Sequence, residues 1–480
     1  MHLLTQFKQQ CIDSADNIAF IEGDKQLSYQ QVQLQVEHLS CQLLTQQPAI
    51  QRVAIALERG IDAAITIYSV LNIGCCYIPL DIKNPENRLR FIIDDADVQL
   101  VVGQGCCPTW LDNSQLWIDI NQLPAEYSKV KPRPISSESL AAILYTSGST
   151  GHPKGVALSV KALHNFSNWT ANTFKITDCD NIASLAPFYF DLSVFDLFST
   201  LSKGATVSFV PNHLTMSPSR LTAWLQNQKI SVWYTVPSIL SFIALKGALA
   251  DTPLPHLKTI LFAGEVFPTP LLIKLCHLLP EVNFYNLYGP TETNVCCYWP
   301  IDRKRLKAEQ TIPIGIPAAG AELKIDQNTG ELLVNSRNNL SGYWQNGQLL
   351  PVITADNYYH TGDKVSINDN KEYCYHGRLD RMLKCSGYRV EPAEIEQKLQ
   401  QCDGVEQCAV IGIKDKTSGQ RPLAALILEP DAELAIIVKT LRQQLPAYMQ
   451  PNNFIVLDSL PYLSNGKIDY QSLQFQWEHS

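Results

Sequence analysis

The segment Arg52–Gly103 constrains the fold more than any other stretch of the chain. An apolar run, Val53-Ala54-Ile55-Ala56-Leu57, is followed by a helical period over Asp62–Leu71. Then come a second apolar run, Cys76-Tyr77-Ile78-Pro79-Leu80, a helical stretch Arg88–Asp95, and a third run, Gln99–Gly103. Strands without polar alternation need cover on both faces, and the intervening helices supply it. This order therefore predicts an α/β protein with a largely parallel sheet. An amphipathic helix over Ser28–Leu44 precedes the unit, with Val32, Leu34, Val36, Leu39 and Leu43 broadly at helical spacing.

The pattern repeats further on. After a polar, proline-containing stretch, Pro108–Ser137, with an edge strand at Leu116-Trp117-Ile118, a second αβ unit is expected. Its helices are Val160–Phe174, Val194–Leu201 and Pro218–Asn227. Its strands are Asn181–Ala186, Thr206–Val210, Val232–Val236, Thr259–Ala263 and Val282–Asn286. From Thr311 the texture changes to short strands and turns, which reads as a small β unit packed on the sheets. Beyond Gly377-Arg378-Leu379-Asp380 it changes again, to a compact α+β module. The expected division is a large N-terminal domain, 1–379, and a small C-terminal domain, 380–480.

Bulk chemistry narrows the partners. The formal net charge is −8, with acidic and basic residues interleaved, so no basic stripe exists to hold a nucleic acid. The 14 cysteines include three adjacent pairs and no C-x-x-C spacing, which argues for reduced, mostly buried thiols in a cytoplasmic protein rather than a zinc ribbon. The N-terminus lacks the order of an export signal. The most membrane-like run, Ala63–Leu80, carries Ser69, Asn72, Gly74 and Pro79, so it reads as a helix followed by a buried strand and not as a membrane span.

Chemistry concentrates in a few loops. Tyr145-Thr146-Ser147-Gly148-Ser149-Thr150-Gly151-His152-Pro153-Lys154-Gly155 follows the strand Ala141–Tyr145. Its glycines let backbone N–H groups approach an anion, its hydroxyls add donors, and Lys154 adds a charge, which together make a phosphate cradle. The Walker pattern fails, because Pro153 and Gly155 stand where glycine and a metal-holding hydroxyl belong. Asn286-Leu287-Tyr288-Gly289-Pro290-Thr291-Glu292 also follows a strand, where ligands bind in α/β sheets. There Tyr288 offers a flat face to a base, Asn286 an amide, and Glu292 a hard carboxylate for Mg²⁺. Asp363, in Tyr359-His360-Thr361-Gly362-Asp363, suits a pair of ribose hydroxyls.

The phosphate loop, in its residue order, resembles that of the adenylate-forming superfamily: acyl- and aryl-CoA synthetases, firefly-type luciferases and the adenylation domains of nonribosomal peptide synthesis. The later motifs follow the family's order along about the whole chain. The resemblance implies a ligase that uses ATP and Mg²⁺, with Thr146, Ser147, Gly148, Ser149, Thr150, Gly151 and Lys154 on the phosphates. Gly264, Glu265, Asn286, Tyr288, Gly289 and Thr291 would lie around adenine, and Asp363 and Arg378 on the ribose. The catalytic parts fall to Thr146, to Glu292 as metal ligand, and to Lys467, in Leu463-Ser464-Asn465-Gly466-Lys467. Such a lysine would bridge the attacking carboxylate and the α-phosphate and offset the repulsion between two anions. Asp380 would be a hinge that swaps which face of the small domain meets the site, and Gly387 would line a tunnel for a phosphopantetheine thiol.

The run Phe188-Tyr189-Phe190-Asp191-Leu192-Ser193-Val194-Phe195 bears on which acid is activated. Asp191 resembles the aspartate by which amino-acid-activating members hold the substrate ammonium. The family's pocket positions carry over to Asp191, Leu192, Phe195, Ile239, Leu261, Ala263, Leu287, Val295 and Cys296. Apart from Asp191 and the lysine this lining is apolar, which would leave a polar side chain unpaired. It resembles that of members that supply proline to a separate carrier protein. L-proline is therefore the expected substrate, with a branched aliphatic or cyclic homologue as competitor. An acyl- or aryl-CoA synthetase of the same fold is the alternative. No carrier or condensation motif is found, so the expected partner is a separate phosphopantetheinylated carrier protein.

Overall fold

The computed structural model describes residues 3–112, 114–124, 133, 135–148, 152–352, 356–415, 419–462 and 468–478. The alternation over Arg52–Gly103 closes into one sheet. Its parallel part runs in the spatial order Leu140–Thr146, Cys76–Pro79, Arg52–Ala56, Leu100–Gly103, Leu116–Asp119. Val53 lies in register between Tyr77 and Leu100, so the central strand is paired on both sides. A second sheet is built the same way. Ile18–Glu22, Thr206–Phe209, Asn181–Ser184, Val232–Thr235, Thr259–Phe262 and Asn283–Tyr288 are its parallel neighbours, in that order.

Both sheets also carry antiparallel edges that the alternation does not foretell. Lys154–Ser159 folds back on Leu140–Thr146, because residues 147–153 alone separate the two strands. A hairpin closes over such a span, whereas a parallel crossover needs a dozen residues or more. Gly342–Gln345 and Gln348–Leu350 extend that edge, and Cys297–Pro300 extends the second sheet beside Asn283–Tyr288.

The largest core lies between the two sheets. Leu39 and Leu43 from helix Tyr29–Gln46, Ile65 from Ile61–Asn72 and Phe166 from Val160–Thr173 pack there with Val53, Val102, Phe20 and Val207. Helix Tyr29–Gln46 starts where the sequence places it. The Ser28 hydroxyl accepts from the Gln31 N–H while the Gln31 side chain accepts from the Ser28 N–H. Val32 and Val36 are buried but Leu34 is 55% exposed, since a residue two positions on points about 200° round a helix. The N-terminal segment is a helix, Leu3–Asp13, whose Leu3, Leu4, Phe7 and Cys11 are buried at helical spacing. The expected helix Val194–Leu201 contains a π-helical stretch, Phe195–Ser199.

The small β unit is an antiparallel sheet of Glu322–Ile325, Glu331–Asn335, Tyr359–Ile367 and Tyr373–Arg378. Its Leu332, Val334 and Val365 pack beneath Tyr288 and Cys296. Tyr373–Arg378 is the last strand of this sheet, and Leu383–Cys385 belongs to the sheet of the small domain. Asp380 lies in the short crossing between them. The small domain is built on the long hairpin Val405–Asp415 and Gly419–Leu428, with helices Pro392–Gln400 and Leu434–Gln444 on one face. Among the described residues no helix is long and apolar enough to cross a membrane.

Candidate active site

The register of the phosphate-loop hairpin pairs Thr146 with Lys154, so the loop begins and ends at one point. Ser149, Thr150 and Gly151 lie outside the described residues, as does Lys467. Gly148 is required by close approach, because a Cβ there would stand 2.0 Å from the His152 carbonyl oxygen. The far end of the loop is held by the His152 ring, stacked on Phe91 at 5.0 Å and 16°. The Thr146 hydroxyl is buried without a partner among the described residues, and the Ser147 hydroxyl donates to the Arg389 carbonyl at 2.7 Å.

Glu292 is fully buried at the centre of this region. Arg389 Nη1 lies 2.9 and 3.0 Å from its two oxygens, Lys154 Nζ lies 3.3 Å away, and the Tyr343 hydroxyl donates to it at 2.8 Å. Burial alone would raise its pKa, but Arg389 and Lys154 outweigh burial and bring it down to about 2. Glu292 is thus a carboxylate at any working pH. With the unpartnered Thr146 hydroxyl it fits a hard divalent cation, provided that Arg389 withdraws. Among the described residues no cluster of three or more His, Cys, Asp or Glu side chains is placed to hold a metal by itself, so substrate oxygens would have to complete its shell. Bound there, Mg²⁺ would neutralise charge on a polyphosphate.

The parallel pairing of Thr259–Phe262 with Asn283–Tyr288 sets Phe262 beside Asn286, so the residues that follow each emerge at the same edge of the sheet. A cavity there is lined by Gly264, Glu265, Asn286, Tyr288, Gly289 and Lys384, among others. The Asn286 side-chain amide donates to the Pro313 carbonyl at 2.8 Å, which orients its oxygen as the free acceptor for an exocyclic amine. Asp363 is buried between the Tyr288 hydroxyl, which donates to it, and Arg378 Nη1 at 3.0 Å. Arg378 Nε also reaches Asp380 at 2.8 Å, so Asp363 and the expected hinge share one cation. Lys384 stands 4.9 Å from the Tyr375 ring and 5.7 Å from that of Tyr288.

A larger cavity adjoins it. Asp191, Leu192, Tyr234, Ala263, Thr291 and Val295 wall its inner part, while Thr146, Ser147, Asp363 and Arg378 border the rest. Burial raises the pKa of Asp191 to about 6; the Thr291 hydroxyl opposes the rise, and the neighbouring charge on Glu292 adds to it. Phe195, Leu261 and Leu287 belong to the core behind this wall, with Phe195 edge-on to Tyr234 at 5.6 Å. Cys296 instead faces the core of the small β unit, with Tyr288.

Ile239, expected in the lining, does not border this cavity. Helix Pro237–Lys246 covers the opposite face of the sheet, and Ile239 packs there against the core that holds Trp233 and Phe262. Tyr234 takes the place. It pairs in register with Leu261, and side chains in register on adjacent strands share a face. The signal was present in the inward alternation Val232, Tyr234. Two cations of the small domain, Lys384 and Arg389, were also unanticipated as site residues. Gly387 does reach the site. Its N–H donates to Glu265 at 2.6 Å, its φ is +83°, and a Cβ on it would meet Val236 Cγ1 at 2.8 Å.

This arrangement has relatives. A model of the AMP-binding enzyme family matches residues 7–344, and one of the AMP-binding enzyme C-terminal domain matches 394–467. An L-proline–[L-prolyl-carrier protein] ligase from Streptomyces coelicolor is 35% identical, over 95% of this chain and 93% of that protein. Another from Pseudomonas fluorescens is 32% identical, over 100% and 98%. A D-alanine–D-alanyl carrier protein ligase from Bacillus anthracis is 28% identical, over 98% and 99%. Among solved structures, an o-succinylbenzoate CoA synthetase from Bacillus subtilis superposes with a TM-score of 0.88 at 21% identity, over 98% of both chains. Because both family models find their segments, in order, on the two domains that meet over this cavity, the chain belongs to the AMP-binding enzymes, the adenylate-forming superfamily.

Proposed function

We propose that this protein activates L-proline with ATP and loads it onto the phosphopantetheine thiol of a separate carrier protein. In the first half-reaction a carboxylate oxygen of the amino acid attacks the α-phosphorus of ATP. The bond to the β-phosphate bridging oxygen breaks, and pyrophosphate leaves. In the second, the thiol sulfur attacks the acyl carbon, AMP departs with the electron pair of the broken C–O bond, and the thiol proton passes to a base or solvent. One observation carries the amino-acid reading: Asp191, a carboxylate whose pKa burial pushes up, stands beside Leu192, Ala263 and Val295 on the wall of the cavity that opens onto the nucleotide residues, with no ion pair among the described residues. A substrate ammonium supplies the counter-charge it lacks.

The remaining roles follow from chemistry. Lys154, with the loop amides, holds phosphate; Asn286 reads the base; Asp363, fixed by Tyr288 and Arg378, accepts from the ribose hydroxyls. Lys467 bridges carboxylate and α-phosphate when the small domain presents it. Asp380 is the hinge between 1–379 and 380–480, and Gly387 borders the entry of the thiol. Proline is supported by the two relatives above 30% identity and by the apolar walls, Leu192, Ala263 and Val295. The test is amino-acid-dependent exchange of pyrophosphate into ATP, over a panel of proline, pipecolate, D-alanine, leucine and an aryl acid. Proline should give the highest kcat/KM. A preference for D-alanine would move the assignment to that branch, and exchange with the aryl acid alone would overturn it.

A further inference from the structure

The small domain meets the large one through two buried ion pairs. One joins Arg389 to Glu292. With the Ser147 hydroxyl donating to the Arg389 carbonyl, it occupies two of the groups that a magnesium-bound polyphosphate would use, Glu292 and Ser147. An orientation in which Arg389 holds Glu292 suits the step after pyrophosphate has left better than the one before it. The second pair joins Arg88, in helix Glu86–Asp95, to Glu394, in the first turn of helix Pro392–Gln400. Their side chains are 8% and 3% exposed. Arg88 belongs to none of the site motifs, and Glu394 lies near the end of the segment that follows the hinge. Beside them Tyr388 stacks on Tyr448 at 4.0 Å and lies edge-on to Phe190 at 4.8 Å.

We infer that Arg88 and Glu394 form a latch that selects this orientation for carrier loading, as positioning residues for the second half-reaction. The inference rests on the two-step function proposed above. The two residues sit on different domains, so a rotation of the small domain about Asp380 parts them. Once parted, each charge regains water and costs nothing further. Removing one member strands the other only while the domains are in the present orientation. The penalty therefore falls on one of two conformations and not on the fold, and that is how a single contact shifts a population.

Glu394→Gln keeps the shape of the side chain and removes its charge. Arg88 borders the large cavity, so the small-domain variant is the one expected to leave adenylation intact. Three quantities are measured in wild type, Glu394→Gln and the exchanged pair Arg88→Glu/Glu394→Arg. They are proline-dependent pyrophosphate exchange, single-turnover transfer of the preformed aminoacyl group to a phosphopantetheinylated carrier, and thermal melting. In Glu394→Gln, exchange and melting should stay at wild-type values while transfer slows at least about tenfold, towards roughly 100-fold. The exchanged pair should recover much of the transfer rate. Transfer within twofold of wild type in Glu394→Gln would overturn the latch, as would exchange and transfer falling in parallel. Failure of wild type itself to exchange with any amino acid would instead overturn the proposed function.

Discussion

Asp191→Asn should make the protein more stable and nearly inactive. Burial pushes the carboxyl up to a pKa of about 6, from an ordinary value of 3.8. A carboxyl whose folded pKa lies above its unfolded one destabilises the fold once it ionises. That cost is absent below about pH 4, grows between 4 and 6, and is complete above 6. Two units at 1.36 kcal/mol each set an upper bound of about 3 kcal/mol. Because the carboxyl borders an open cavity, water takes up part of it, leaving about 1–3 kcal/mol. At about 2.1 cal/mol/K per residue, a domain of this size has a melting entropy near 0.8 kcal/mol/K, so the gain is about 1–4 °C. The asparagine, however, cannot pair with an ammonium in a dry pocket, a loss of about 2 kcal/mol or more, or at least roughly 30-fold in kcat/KM for the amino acid. Melting of the ligand-free protein at pH 7.5, 6 and 5, beside pyrophosphate exchange at pH 7.5, checks both halves. The difference in Tm should be full at pH 7.5 and shrink as the pH falls through 6. A variant that melts at or below wild type at pH 7.5, or that retains proline-dependent exchange, would refute the placement of a strained charge there.

Two further outcomes follow from the walls of the same cavities. Tyr234→Ala removes the ring that Phe195 supports and opens the pocket; the ratio of kcat/KM for pipecolate over proline should rise roughly tenfold, and an unchanged ratio would remove Tyr234 from the lining. Asp363→Asn weakens the acceptor offered to the ribose and takes from Arg378 one of its two carboxylates; KM for ATP should rise about tenfold or more, with KM for proline within twofold, whereas an unmoved KM for ATP would place the nucleotide elsewhere.

Local pattern made the frame legible. The strands from Arg52 to Gly103 and the core-facing helices announce themselves because apolar periodicity is a property of consecutive residues. The helix start at Ser28 is equally local, a cap four residues long. The antiparallel edges were less legible, since the partners of Lys154–Ser159 on its outer side, residues 342–345, lie far along the chain. Ile239 shows the same limit at the site. The position was carried over by its place in the motif order, and only the pairing of Tyr234 with Leu261 fixes which side chain faces the cavity.

The sequence alone determined the chemistry on offer: a glycine- and hydroxyl-rich loop with its lysine, the carboxylates Glu292 and Asp363 at strand ends, and an aspartate among apolar neighbours, each written in a few contiguous residues. Only the tertiary structure decided how these charges are spent. That Arg389 neutralises Glu292, that Arg88 meets Glu394 across the domain boundary, and that Asp191 has no ion pair among the described residues all depend on residues brought together from distant parts of the chain. The energy of a charge is set by its neighbours in space and by the water excluded around it, and neither is a property of the order of residues.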